Sequence, residues 1–187
     1  MLVALSLVKN NSNPAAFRIG IVGHRYLASK ETVAFVAATC LGILKEQQVE
    51  HKNVSALSAL AEGSDTLFAE AAVALNIRLE IVRPFEEYAT DFTDSSARQR
   101  YERLRSVAYC ETRLANASRS DAAYIEAMRW IVDNSSLLLA VWDGSPARGS
   151  GGTGDATARA NLIKCDWIHM NVTDLSVNYH LFGKRGK

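Results

Sequence analysis

The 187-residue sequence has few cysteines, no long apolar run and almost no net charge. Its three cysteines, Cys40, Cys110 and Cys165, show no metal-ligand spacing, and their odd number favours reduced thiols in a cytoplasmic protein over a disulfide framework. No apolar run approaches the roughly 18 residues of a membrane span, so no membrane association is expected. Lys and Arg number 21 against 20 Asp and Glu, and this net charge of +1 argues against nucleic acid as the partner, although it does not exclude a local basic patch.

The composition is that of an ordinary folded domain. Hydrophobic residues make up 48% and charged residues 22%, which excludes a disordered or fibrous chain. No internal repeat, low-complexity segment or linker divides the sequence. We expect an N-terminal extension at residues 1–16, one domain at residues 17–170 and a C-terminal tail at residues 171–187.

Short apolar runs alternate with amphipathic stretches along this domain. The pattern predicts strands at residues 17–22, 53–59, 78–82, 110–114, 136–142 and 166–170. It predicts helices around residues 33–44, 64–75 and 95–109, one after an N-cap at Ser120 or Asp121, and a short one from Asp155. Alternating strands and helices favour an α/β fold, a three-layer Rossmann-like open and mainly parallel sheet with helices on both faces.

Glycine occurs where three of the predicted strands turn into helices, in residues 20–25, 61–65 and 143–155. Such turns let a ligand approach the backbone, and they present N–H groups at a helix N-terminus, where the dipole favours an anion. Glycine can also serve only to turn the chain. Because the carboxyl ends of parallel strands lie at one edge of a sheet, three such turns favour a phosphate-bearing ligand there.

Two common nucleotide-binding fingerprints are absent. The sequence contains no Gly-x-x-x-x-Gly-Lys-Ser/Thr, which argues against a P-loop NTPase. The first turn reads Gly20-Ile21-Val22-Gly23 rather than G-x-G-x-x-G, which argues against a standard dinucleotide dehydrogenase. No metal and no organic cofactor is therefore expected.

Three segments in order, residues 19–25 (IGIVGHR), 58–65 (SALAEGSD) and 141–144 (VWDG) with 151–153 (GGT), resemble the SLOG superfamily of Rossmann-like domains. The superfamily includes the lysine-decarboxylase-like Lonely Guy phosphoribohydrolases, the DNA-processing protein A domain and sensors of nucleotide derivatives. The resemblance covers about residues 17–167. It implies a cleft at the strand ends that holds a nucleotide or sugar-phosphate derivative, and it implies a homodimer, since relatives often dimerise.

The resemblance to the phosphoribohydrolases is incomplete. Their signature is Pro-Gly-Gly-x-Gly-Thr-x-x-Glu, whereas this chain has no proline before its glycine-rich segment. Ala156 stands where the glutamate would be, and Asp155 comes one position early. The glycines and Thr153 therefore carry over as phosphate-loop candidates, whereas the position of the catalytic glutamate is not matched.

The candidate site residues all lie in the three turns. The ligand-binding candidates are Gly23, His24, Arg25, Gly63, Ser64, Asp143, Gly144, Gly149, Gly151, Gly152 and Thr153, and the candidate catalytic carboxylates are Asp65, Glu62 and Asp155. Several have structural alternatives: Asp65 suits the first turn of a helix, Ser64 an N-cap, and Asp143 an Asx turn. Arg119 could reach the cleft but fits a solvated charge better.

The sequence predicts a module that binds a small nucleotide or an ADP-ribose-like derivative and senses it without transforming it. The alternative is a nucleotide N-glycosidase (phosphoribohydrolase) that releases a base from a nucleoside 5′-monophosphate. A DNA-binding adaptor is a third interpretation, suggested by the DNA-processing relatives and the basic residues of the tail, and the near-neutral charge argues against it.

Overall fold

The computed structural model describes residues 16–116, 118–145 and 151–183. These residues form seven strands: β1 Phe17–Gly23, β2 Val54–Ser58, β3 Arg78–Phe85, β4 Cys110–Asn116, β5 Leu137–Trp142, β6 Asp166–Asn171 and β7 Val177–His180. Five α-helices connect them: α1 Lys30–Glu50, α2 Ser64–Ala74, α3 Ser95–Ser106, α4 Asp121–Asp133 and α5 Thr153–Ile163. A single 3-10 turn, Tyr88–Asp91, lies between β3 and α3.

The strands form one sheet in the order β4-β3-β2-β1-β5-β6-β7. All neighbours pair in parallel except β7, which runs antiparallel to β6. This is the expected Rossmann-like, mainly parallel open sheet, and the fold prediction is confirmed.

The pleat of β5 shows how the sheet divides the core. Leu137, Leu139 and Val141 face one apolar cluster, which contains side chains of α1, α2 and α3. The alternate residues Leu138, Ala140 and Trp142 face a second cluster, built mainly with α4 and α5. Because β5 is apolar on both faces and covered by helices on both, its continuous hydrophobic run is what a central parallel strand requires.

Side-chain caps fix the starts of three helices. Ser29, Asp94 and Ser120 accept backbone N–H groups in the first turns of α1, α3 and α4, which satisfies donors that a helix leaves unpaired. Ser120 is thus the N-cap of α4, one of the two predicted positions. None of the described helices is both long and apolar enough to cross a membrane.

Four local features differ from the sequence-based expectation. β3 continues through Pro84, where its register with β4 shifts, and such an irregularity accommodates a residue without an N–H. Val177–His180, expected in an appended tail, forms β7. α5 begins at Thr153 rather than Asp155, and the N-cap of α2 is Gly63 rather than Ser64.

Replacing Leu138 with alanine tests the packing on the face that α4 and α5 cover. Leu138 is fully buried in the central strand β5, so the cavity should lower the free energy of unfolding by about 2–5 kcal/mol in urea titrations. Val49→Ala, on the exposed side of α1, should change it by less than about 0.5 kcal/mol. Equal effects of the two substitutions would contradict this packing.

Candidate functional site

The strand order reverses between β1 and β5, which are neighbours in the sheet although seven helices and strands and more than a hundred residues separate them. The chain leaves β1 toward α1 and leaves β5 toward α5, and these helices cover opposite faces of the sheet. The two connections therefore diverge and leave a crevice at the carboxyl ends of the strands, the usual ligand position in open α/β sheets.

A cleft of about 600 Å³ occupies this position. The turns after β1 and β5, the start of α5, the end of β3 and one side of α4 line it. Its volume falls in the range of small-molecule and nucleotide-sized sites.

Backbone and ring contacts hold the turn after β1 against β5. The N–H of His24 donates to the carbonyl of Val141 at 2.9 Å, which extends the β1–β5 pairing beyond the strand. The Nε2 atom of the His24 ring accepts the backbone N–H of Asp143 at 3.3 Å. The Asp143 carboxylate accepts the N–H of Ser145, which is the Asx turn that the sequence offered as an alternative.

A charged cluster forms one wall of the cleft around the carboxylate of Asp91, whose side chain is only 2% exposed. Arg25 Nη1 donates to it at 2.8 Å, the Tyr124 hydroxyl donates at 2.6 Å, and Arg119 Nε lies 3.0 Å away. The Arg25 guanidinium also lies 5.1 Å from the centre of the Tyr124 ring, within cation–π range. Arg25, Arg119 and Tyr124 line the cleft.

The charge balance of this cluster is positive. Burial raises the pKa of Asp91, but hydrogen bonds from Tyr124 and Arg25 outweigh burial and hold that pKa below its usual value. Asp91 is therefore ionised at neutral pH. Two guanidinium groups face one carboxylate, so the wall keeps one net positive charge and several N–H donors that Asp91 does not use.

Asp65, in the first turn of α2, lies against the cleft with only 4% of its surface exposed. Its Oδ2 atom accepts the Ser58 hydroxyl at 3.0 Å and the N–H of Ala59 at 3.2 Å. Burial raises the pKa of Asp65 to about 6, against the lowering effect of hydrogen bonds from Ser58 and the backbone of Ala61. The donors around it are neutral, which explains why burial prevails here and not at Asp91.

The N-terminus of α5 forms another part of the lining, with Gly151, Gly152, Thr153 and Gly154. Gly151 has a φ of +87°, and a Cβ there would meet the Ile125 side chain at 2.8 Å, so glycine is required. Its N–H donates to the Asp155 carboxylate at 2.7 Å. Among the described residues, the N–H groups of Gly152, Thr153 and Gly154 have no acceptor, as is usual in a first helical turn.

The structure brings together eight of the predicted site residues. They are Gly23, His24, Arg25, Asp65, Asp143, Gly151, Gly152 and Thr153, all in the lining of the cleft. Glu62, Gly63, Ser64 and Gly144 are not in that lining, and Asp155 lines a separate groove between α4 and α5. Gly149 lies outside the described residues.

Gly63 and Ser64 contact the turn after β1. Gly63 has a φ of +80°, and a Cβ there would lie 2.3 Å from the carbonyl oxygen of Arg25. Both the N–H and the hydroxyl of Ser64 donate to the carbonyl of His24. In this structure the second glycine turn therefore supports the first, and a close approach of two chain segments explains its glycine.

Three residues of the charged wall were missed or undervalued in the sequence. Asp91 and Tyr124 lie 33 residues apart and follow no motif, and Arg119 was assigned to a solvated surface. The sequence signal for these residues is weak: an aspartate at the end of a short segment after β3 and an arginine just before a helix.

Among the described residues, no group of three or more His, Cys, Asp or Glu side chains is placed to hold a metal ion.

These features define a Rossmann-like α/β protein with a partly cationic cleft at the switch point of its sheet. No family model matches the sequence, and no curated protein sequence matches it. The fold is similar to the X-ray structure of DNA processing protein A from Streptococcus pneumoniae, with a TM-score of 0.58 and 16% identity. It is also similar to DNA processing protein A from Helicobacter pylori, described for its unique single-stranded DNA binding mode, with a TM-score of 0.58 and 12% identity.

Both matches cover 82% of this chain but only part of the similar proteins. The matched region is 50% of the S. pneumoniae chain and 64% of the H. pylori chain. At these identities the likeness shows the fold alone.

This comparison corrects the functional expectation. The predicted small-molecule-sensing module, with a phosphoribohydrolase as its alternative, is wrong, because the structural neighbours are DNA processing proteins and one is described for binding single-stranded DNA. The argument from net charge against a nucleic-acid partner is wrong for the same reason. Physically, a glycine turn with a nearby arginine suits the phosphate of a free nucleotide and the phosphodiester of a strand equally well.

The pKa of Asp65 predicts a specific pH dependence of stability. Unfolded aspartate titrates near 3.9, so between about pH 4 and pH 6 the folded protein keeps a proton that the unfolded chain has lost. Rising pH should therefore lower the free energy of unfolding by up to roughly 3 kcal/mol in this window. Asp65→Asn removes the titrating group, so urea titrations from pH 4 to 7.5 should show the stability of the wild type falling relative to the variant. A stability difference that stays constant over that range would exclude the assigned pKa.

Proposed function

We propose that this chain is a single-stranded DNA-binding module and that the cleft between β1 and β5 is its binding site. The observation that carries the proposal is the pair of guanidinium groups, Arg25 and Arg119, that line the cleft with 46% and 70% of their side chains exposed. Guanidinium groups bind phosphodiester oxygens through paired N–H donors, and the protein needs no net positive charge for such a local contact.

Another part of the cleft lining adds donors for the same backbone. The N–H groups of Gly152, Thr153 and Gly154 begin α5, where the helix dipole favours an anion. A strand that lies in the cleft would thus meet both guanidinium groups and backbone N–H groups. Of the carboxylates at the cleft, Asp65 and Asp91 are buried and have their own hydrogen-bond donors, and Asp143, whose side chain is 28% exposed, accepts the N–H of Ser145.

An exposed aromatic ring suits an unpaired base. Tyr26 follows Arg25 directly and is 81% exposed, the most exposed aromatic side chain of the described residues. Apolar side chains such as Ala59, Pro84 and Trp142 line the cleft itself. Bases of a single strand can stack on such surfaces, whereas the bases of a duplex are stacked on one another, and this favours single-stranded over double-stranded DNA.

The comparisons support the proposal in two ways. The fold is similar to DNA processing protein A, and the H. pylori protein is described for binding single-stranded DNA. Membership of the SLOG superfamily is part of the proposal, supported by the order of the glycine turns along the chain. Because the match covers only part of those proteins, the proposal is limited to binding by this domain.

Arg25→Ala tests the phosphate contact. We expect the affinity for a fluorescent oligothymidine, measured by anisotropy at low salt, to fall about tenfold, as for loss of one charge-assisted contact. The slope of log affinity against log salt should become shallower by about 0.7, the value for one phosphate contact on a single strand.

Arg78→Ala is the matched control. Arg78 begins β3 and therefore lies at the amino ends of the parallel strands, away from the cleft at their carboxyl ends, and its guanidinium lies over the Tyr109 ring. It should bind as the wild type does. Failure of the wild type to bind at low salt, or equal losses in both variants, would overturn the cleft as the binding site.

Tyr26→Ala tests base stacking separately from charge. Loss of the ring should weaken binding of oligothymidine by about 1–3 kcal/mol and leave the salt slope unchanged. Tyr26→Phe keeps the ring and should retain affinity. If the phenylalanine variant loses as much affinity as the alanine variant, stacking on Tyr26 is not the interaction involved.

A further inference from the structure

Asp91 joins three separate parts of the chain at one carboxylate. Arg25 comes from the turn after β1, Arg119 from the segment before α4 and Tyr124 from α4 itself. A carboxylate that is only 2% exposed is costly unless it is paired, and here it has partners from all three parts. Asp91 is therefore the group through which the two arginines of the cleft are connected.

The carboxylate is held rigidly by its own segment. Asp91 ends the 3-10 turn that begins at Tyr88, and Phe92 follows it. Tyr88 and Phe92 are both buried, and their rings pack on each other with centroids 5.5 Å apart and on Tyr101 at 5.7 and 4.7 Å. This aromatic cluster fixes the turn, so Asp91 presents its oxygens at a defined place.

The atoms that Asp91 uses leave other donors of both arginines available. It contacts Nη1 of Arg25 and Nε of Arg119. The remaining guanidinium nitrogens can donate to a phosphate, and the cluster keeps one net positive charge, equal and opposite to that of one phosphodiester. Long arginine side chains lose rotamer entropy when they are ordered, and a partner that orders them beforehand reduces this loss on binding.

We propose that Asp91 is a positioning residue that holds Arg25 and Arg119 together as a subsite for a single phosphodiester of the DNA strand. This inference rests on the proposed function. The positioning role predicts that Asp91 strengthens the binding of DNA, although its negative charge alone would weaken the binding of a polyanion.

Asp91→Asn tests the inference by the sign of its effect. Removal of a negative charge near DNA should strengthen binding if only the net charge matters. We expect instead about fivefold to tenfold weaker binding of oligothymidine and a salt slope shallower by about 0.7, because one phosphate contact is lost. Asp133→Asn is the matched control: Asp133 pairs with Arg159 on the exposed side of α4 and α5, and its loss should change neither affinity nor slope.

A double-mutant cycle separates positioning from general destabilisation. In an Arg25→Ala/Arg119→Ala background, Asp91→Asn should change affinity by less than about twofold, because no guanidinium remains to be positioned. Tyr124→Phe removes one donor to Asp91 and keeps the ring, so it should weaken binding in the same direction, and it serves if Asp91→Asn does not fold. Thermal unfolding checks the fold of each variant.

The outcomes distinguish the two proposals. If the wild type binds and Arg25→Ala weakens binding, but a folded Asp91→Asn or Tyr124→Phe binds as tightly as the wild type or more tightly, the positioning role is overturned and DNA binding stands. If the wild type does not bind, both fall.

Discussion

The pairing of β1 with β5 is the constraint on which the rest of the structure depends. The pairing continues past the end of β1, where His24 donates to the carbonyl of Val141, and it brings the first turn beside Asp143. Since the chain leaves these two strands toward opposite faces, the sheet topology itself opens the cleft. The side chains around the cleft therefore determine what binds there, whereas the order of the strands determines that a cleft exists.

Two buried carboxylates beside this cleft illustrate how partners decide charge. Asp65 receives hydrogen bonds from neutral donors, Ser58 and the backbone of Ala59 and Ala61, and burial raises its pKa. Asp91 receives hydrogen bonds from Arg25 and Tyr124 and lies against Arg119, and its pKa is lowered. Asp91 consequently carries a fixed charge that can order cations, while Asp65 titrates near pH 6.

The sequence predicts most of the fold because the central strands are continuous apolar runs between amphipathic helices. β7 was missed because it is a short edge strand with a polar sequence, and the end of β3 because Pro84 is accommodated by a register shift that only the neighbouring strand explains. Within the candidate site, the glycine turns were predictable because they are local sequence patterns. Asp91 could not be found in this way, because it lies 66 residues from Arg25 and meets it only through the fold.

The net charge misled the functional interpretation for a related reason. It sums the whole chain, in which several basic side chains are neutralised one to one: Arg18 pairs with Glu80, and Arg159 pairs with Asp133. At the cleft wall two arginines share one buried aspartate. A chain with a charge of +1 can thus carry uncompensated positive charge at a local site, and a polyanion responds to that local potential within about a Debye length of 10 Å.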